Sequence, residues 1–279
     1  MRDNIKMLVC AHKLAELPKH EYFIPIHAGK ETSAESLPYT NDNTGDNISA
    51  KNGTFCELTA HYWAWKNLKN VDIIGLNHYR RYFDFFRAFS FFSPDRSFTS
   101  LEQFLNKSYE IPNLEDILEK YDIILPNTRN YPYDLSTQYS VFHIVDDWNI
   151  LKDVIKDLTP DYFPAFQKTM DYNNALSNYN MFITSWKHFD GYSEWLFKIL
   201  FEVEKRIKIS SYPNQARVFG YMSERLINVY CEHHKLKIKH YPVVMPLEEF
   251  RPEFNPSNLR YTLRKIRNNF YYFLMKRAF

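Results

Sequence analysis

The stretch from Thr44 to Arg81 holds the densest chemistry in the chain. Gly45-Asp46-Asn47-Ile48-Ser49 with Lys51-Asn52 makes a polar loop, and an aromatic run follows it. Val71-Asp72-Ile73-Ile74-Gly75-Leu76 then leads directly into Asn77-His78-Tyr79-Arg80-Arg81. In an open α/β sheet, ligands sit beyond the carboxyl ends of strands. Guanidinium groups take phosphate oxygens in bidentate fashion and need no metal. An apolar strand ending in His78, Arg80 and Arg81 therefore suits a diphosphate, and the order of these segments suggests a nucleotide-sugar site. The same cations could equally pair with core carboxylates.

Other groups could share the work. Asp46 or Ser49 can cap the helix that follows the polar loop. A helix start also favours anions, and Lys51 and Asn52 could then reach ribose, phosphate or sugar hydroxyls. His143 and Asp147 stand four residues apart and share a face if both lie on one helix. Such a pair makes a general base, a metal pair or a plain surface ion pair. Asn180, in Ser177-Asn178-Tyr179-Asn180 before an apolar run, suits either a sugar hydroxyl or a tight turn. Glu224, near Arg217 and Arg225, could be a base or an arginine partner. No Asp-x-Asp pair stands at the expected strand end, so no metal ligand is assigned and metal dependence is left open.

These groups need elements to position them. Ile5 to Ala11 reads as a buried strand, and Tyr22 to His27 as another, weakened by Pro25. Phe55, Leu58, Tyr62, Trp65 and Leu68 recur at three- and four-residue steps and predict a single helix over Asn52 to Lys69. Val71 to Leu76, Asp122 to Leu125 and Tyr179 to Thr184 read as short strands. Leu101 to Lys107, Leu114 to Tyr121, Val141 to Leu158, Tyr192 to Arg206 and Gln215 to His233 read as helices. Leu236 to His240 and Val243-Val244 look like a closing strand pair. Glu31 to Asn43 reads as a loop, and Phe83 to Thr99 as an irregular, mobile aromatic one. Strands alternating with helices predict an α/β domain over residues 1–250 with an appendage over 251–279.

Composition narrows the class. A 45% hydrophobic share of 279 residues supports a real core, and only six glycines argue against a glycine-rich phosphate cradle. Six of the 35 bases fall in residues 259–279, which hold no acid, so the rest of the chain is net acidic. That balance points away from nucleic acid. On a helix, Leu259, Leu263, Ile266, Phe270, Phe273 and Leu274 form one stripe flanked by Arg260, Arg264, Lys265, Arg267 and Lys276. This pattern fits a helix lying on an anionic membrane, or a terminal helix packed on its own domain. Cys10, Cys56 and Cys231 fit neither a zinc spacing nor a disulfide framework, which suggests a reducing compartment. The apolar run Met7 to Ala11 is too short for a signal or a span. A cytoplasmic protein, peripheral at the inner face of the plasma membrane, is expected.

With these segments in hand, the chain resembles a known family. His12-Lys13, Gly45 to Asn52, Cys56-Glu57-Leu58-Thr59-Ala60 with Tyr62-Trp63 and Trp65-Lys66-Asn67, Gly75-Leu76 with His78 to Tyr82, Gln138-Tyr139 with His143 and Asp147, Asn180 to Ile183, and Arg217 with Gly220-Tyr221 and Glu224 carry the likeness. It is to bacterial capsular and exopolysaccharide biosynthesis proteins long catalogued as a domain of unknown function and later recognised as galactofuranosyltransferases. The resemblance implies a GT-A-type, Rossmann-like catalytic domain and a UDP-sugar donor, best known as UDP-galactofuranose. It also implies inverting transfer to a lipid-linked or oligosaccharide acceptor of a growing capsule, O-antigen or exopolysaccharide. It offers Asp147, Asp146 or Glu224 as the base, with His143 beside them. For the donor it offers His12, Lys13, Asp46, Asn47, Lys51, Asn52, His78, Arg80, Arg81 and Asn180. Another hexose donor, such as UDP-galactopyranose or UDP-glucose, and a non-catalytic glycan-binding subunit are the alternative expectations.

Overall fold

The structure, a computed structural model, describes residues 4–87, 94–255 and 257–278. Its strands are β1 (Ile5–Ala11), β2 (Phe23–His27), β3 (Thr40–Asn41), β4 (Ile73–His78), β5 (Tyr82–Phe83), β6 (Arg96–Ser100), β7 (Ile123–Pro126), β8 (Arg129–Asn130), β9 (Ala175–Leu176), β10 (Phe182–Ser185), β11 (Ile238–Tyr241) and β12 (Val243–Leu247). Its helices are α1 (Asn52–Phe55), α2 (Leu58–Asn67), α3 (Leu101–Asn106), α4 (Leu114–Leu118), α5 (Leu135–Phe142), α6 (Val145–Leu158), α7 (Phe163–Phe166), α8 (Trp186–Arg206), α9 (Pro213–Ala216), α10 (Val218–His233) and α11 (Asn258–Ala278).

The near-continuous apolar runs of β1 and β4 mark strands covered on both faces, and all six residues of β4 are buried. These two strands sit at the middle of a seven-stranded sheet ordered β11-β7-β10-β4-β1-β2-β3. β1 runs parallel to β2 and β4, β2 to β3, and β11 to β7. Only β10 runs against its neighbours β4 and β7 in this sheet. One face of the sheet carries the large core, where Leu8, Ile74 and Leu76 meet Phe55, Trp148, Phe197 and Phe219. The other face meets a smaller core under the sheet β5-β12-β6. This is the α/β Rossmann-like arrangement expected, with a C-terminal helix.

Several expected elements differ for local reasons. The helix predicted over Asn52 to Lys69 breaks at Cys56, whose φ of 54° and ψ of −131° end α1. Side-chain periodicity cannot register a single backbone reversal of this kind. The helix predicted over Val141 to Leu158 is two helices, because His143 and Ile144 are extended. β11 and β12 do not pair with each other: β11 joins the main sheet, and β12 joins β5 and β6. In the stretch expected to be irregular and mobile from Phe83 to Thr99, Phe83 and residues 96–99 are strand, and its centre, 88–93, lies outside the described residues.

Among the described residues no helix is long and apolar enough to cross a membrane. Helix α11 packs on the domain through polar groups. Tyr261 and Thr262 are buried. Asn268 donates to the Asn130 carbonyl at 2.8 Å, and Asn130 and Asn174 donate to Asn269 Oδ1 at 3.0 and 2.9 Å.

Candidate functional site

A cleft of about 480 Å³ opens at the carboxyl ends of β1, β2 and β4. His12 follows β1, Ala28 follows β2, and His78 with Tyr79, Arg80 and Arg81 closes β4. The opposite wall comes from Asn52 and Gly53 of α1, the Cys56-Glu57 break, and Arg217, Tyr221 and Glu224 at the start of α10. The volume is that of a small-molecule site, and the location is where such a sheet binds ligands.

A strained turn backs the lining residues Glu57, His78 and Glu224. Tyr179 and Asn180 both have positive φ, 83° and 51°, a conformation that costs non-glycine residues on the order of 1 kcal/mol or more each. Surrounding groups hold it. Tyr179 donates its amide to Glu224 Oε1 at 2.9 Å and accepts at its carbonyl from His78 Nε2 at 2.6 Å. Asn180 donates its side-chain amide to Glu57 Oε1 at 2.7 Å and to the Gly220 carbonyl at 3.0 Å. Behind it, Arg129 donates to the Tyr179 hydroxyl at 2.8 Å and pairs with Asp95, which is 2% exposed.

The two carboxylates of the cleft are driven apart electrostatically. Burial alone would raise Glu57, but His78, the Asn180 amide and Arg81 outweigh it and hold Glu57 below the ordinary value. Burial raises Glu224, Arg225 opposes this, and the charge on Glu57 adds to the rise. Burial lowers His78, the Glu57 carboxylate opposes this, and Arg81 adds to the fall, while Nε2 donates to the Tyr179 carbonyl. Glu57 is thus the fixed anion, and Glu224 is the more basic carboxylate.

The cations are differently placed. Arg80 lies over the Tyr79 ring at 4.7 Å, and Arg81 over Tyr179 at 5.1 Å. Arg217 donates Nε to Cys56 Sγ at 3.2 Å. Among the described residues, the arginines within ion-pair distance of a carboxylate are Arg87, Arg129, Arg206, Arg225 and Arg264, not these three. Arg81 Nε is buried without a hydrogen-bond partner. Three guanidinium groups unpaired with acids in one cleft provide a site for a multiply charged anion.

The structure divides the residues singled out from the sequence. His12, Asn52, His78, Arg80, Arg81 and Glu224 line the cleft. The others do not. Lys51 is tied to Glu204 of α8 at 2.6 Å. Asp46 is bound to α2 through Tyr62 and Asn67, and Asn47 closes its own loop by accepting from the Ser49 amide at 3.1 Å. Lys13 is exposed beside the cleft rather than in it. Asn180 lies beneath, positioning Glu57. Asp146 and Asp147 are on the first turn of α6 and are not lining residues, and His143 precedes that helix, so the expected His143–Asp147 helical pair does not form. His143 instead stacks on Tyr221 at 4.0 Å, and burial lowers its pKa to about 4. Glu57, Tyr221 and Arg217 carry the family likeness in the sequence, yet the sequence offers no role for Glu57 or Tyr221 and only that of a Glu224 partner for Arg217. Glu57 escaped because only the Cys56 reversal turns it out of a helical pattern and into the cleft.

A GT-A-type fold commonly brings a divalent cation to its diphosphate. Among the described residues no group of three or more His, Cys, Asp or Glu side chains could hold a metal ion. Glu57 and Glu224 each commit an oxygen to the Tyr179–Asn180 turn.

The family described as "Domain of unknown function (DUF4422)" matches residues 6–235, and the chain belongs to it. Among solved structures the chain is similar to the apo structure of WbbM, a bifunctional glycosyltransferase, at 28% identity and a TM-score of 0.79. The likeness covers 88% of this chain and 45% of that one, so the chain spans less than half of that protein's length. No curated protein matches it.

Proposed function

We propose that this DUF4422 member is a glycosyltransferase that moves a sugar from a UDP-sugar to a lipid-linked or oligosaccharide acceptor of a growing surface polysaccharide. The reading takes UDP-galactofuranose as donor, inversion at the transferred carbon, and the cytoplasm as the place of reaction. It rests on one arrangement: Arg80, Arg81 and Arg217, with no carboxylate within ion-pair distance among the described residues, line the same cleft as Glu224, whose pKa is raised by burial. The similarity to a glycosyltransferase over 88% of the chain supports the reaction class. The donor sugar follows from the family resemblance.

The chemistry is a single displacement. The acceptor hydroxyl oxygen attacks the anomeric carbon from the face opposite the diphosphate. The new carbon–oxygen bond forms as the bond to the diphosphate breaks, and its electron pair leaves on the diphosphate. Glu224 takes the hydroxyl proton, a role worth roughly 10²–10⁴ in rate. Arg80, Arg81 and Arg217 stabilise the departing charge, each hydrogen bond from a charged donor contributing about 1.5–3 kcal/mol. Glu57 stays ionised, balancing the cations and fixing Asn180. Asp146 and Asp147 have no part in this scheme.

A screen of UDP-sugars with mass detection of sugar added to a short synthetic acceptor tests the reading. Transfer with concomitant release of UDP is expected. If no nucleotide raises the melting temperature and no donor is consumed, the catalytic reading fails, and a glycan-binding role takes its place.

A further inference from the structure

Helix α11 turns the wrong face outward for a helix that completes a domain. In α8 the apolar residues Phe189, Leu196, Leu200 and Val203 go into the core. In α11 the seat on the domain is made by Tyr261, Thr262, Asn268 and Asn269, while Leu259, Leu263, Ile266, Phe270 and Leu274 are 68, 56, 53, 57 and 45% exposed. A contiguous exposed apolar stripe marks an interaction surface. Residues 259–279 contain no acid, and Arg260 and Arg267 directly flank the stripe, with Lys276 near its end.

We propose that this face of α11 docks on an anionic lipid bilayer. The apolar stripe enters the acyl boundary and the flanking cations meet the headgroups, as in helices that lie in a membrane interface. Charge selects this occupant over a second copy of the chain. Two stripes packed together would set Arg260 and Arg267 against the same cations of the other copy. The stripe is also shorter than the three to four heptads that a coiled coil needs. Nothing in this inference depends on the donor sugar or on the catalytic role of the cleft.

The test uses the full chain and vesicles of phosphatidylcholine, alone or mixed with phosphatidylglycerol. Cosedimentation with the mixed vesicles should be at least about tenfold stronger than with phosphatidylcholine alone, and should weaken as salt is raised. Leu263→Asp with Phe270→Asp should lose that binding at least tenfold, with the melting temperature and its shift by UDP unchanged. Arg260→Glu with Arg267→Glu should do the same, and this variant carries the test if the first one melts early. Three results overturn the proposal: no binding of the natural chain to mixed vesicles, equal binding by folded variants, or a natural-chain dimer that Leu263→Asp with Phe270→Asp makes monomeric. Absence of a UDP shift in every variant would count against the nucleotide reading alone.

Discussion

Replacing Glu224 by Gln separates a base from a structural carboxylate with little disturbance. Glu224 Oε1 accepts the Tyr179 amide at 2.9 Å, and the amide oxygen of Gln can keep that bond, so the strained turn stays in place. Arg225 lies 3.8 Å from the other carboxylate oxygen and loses that partner. It keeps its bonds to the Tyr221 carbonyl at 2.6 Å and to Gln138, so it is not left stranded. The proton acceptor is what disappears. Loss of general-base catalysis predicts a fall in kcat of roughly 10²–10⁴, or about 3–5 kcal/mol of transition-state stabilisation. UDP affinity should stay within about twofold, since the arginines are untouched. On the proposed reading the natural chain should also show kcat/KM rising with pH, because Glu224 acts only when ionised, and that rise should fall above the ordinary carboxylate range because burial raises its pKa. The residual activity of Glu224→Gln should lack this limb. UDP release and product mass, measured across pH for both proteins, decide the matter. A variant within about threefold of the natural kcat, with the same pH limb, refutes the assignment. Asp146→Asn and Asp147→Asn serve as controls and should leave turnover unchanged.

Arg81→Ala or Arg217→Ala should weaken UDP binding about 10- to 100-fold, the loss of one hydrogen bond from a charged donor; titration calorimetry showing unchanged affinity in both removes them from the diphosphate site. Gly29 has a φ of +78°, and a Cβ there would lie 2.4 Å from Cγ of the cleft residue Asn52. Gly29→Ala should therefore cost on the order of 1–2 kcal/mol of stability and weaken UDP binding, and a melting curve identical to that of the natural chain contradicts this. Burial holds His61 neutral, with a pKa near 3 in the folded chain. The unfolded chain takes up the proton near the ordinary histidine value, so this contribution to stability is full above about pH 6.5 and is lost as pH falls, at about 1.4 kcal/mol per pH unit. Urea unfolding from pH 6.5 to 4 should show a slope about one proton shallower in His61→Gln, and an unchanged slope excludes the buried neutral state. Turnover in a chelator should stay within about twofold of the untreated rate if guanidinium groups alone meet the diphosphate, whereas complete loss restored by a divalent ion would place a metal there.

Much of the frame could be read from residue order. The short apolar runs of β1 and β4 read as buried strands, and the cations after β4 then emerge at the ligand end of the sheet. The amphipathic patterns of α8 and α10 are clear for the same reason: each buries one face. The partners of those cations could not be read. Lys51 looks like a phosphate ligand until Glu204, 153 positions away in sequence, is found against it. Asn180 reads as a sugar contact, but its backbone strain and its bond to Glu57 depend on where α1 ends. His143 and Asp147 have helical spacing, yet two extended residues between helices remove the pairing. In each case a long-range contact or a single dihedral decides the role, and local pattern carries neither.

A structure of the protein with UDP bound tests the central claim most directly. The claim requires the diphosphate oxygens to lie within hydrogen-bonding distance of Arg80, Arg81 and Arg217, with Glu224 open to the space beyond the terminal phosphate. UDP bound outside this cleft, with the three arginines folded onto Glu57 and Glu224, would contradict it.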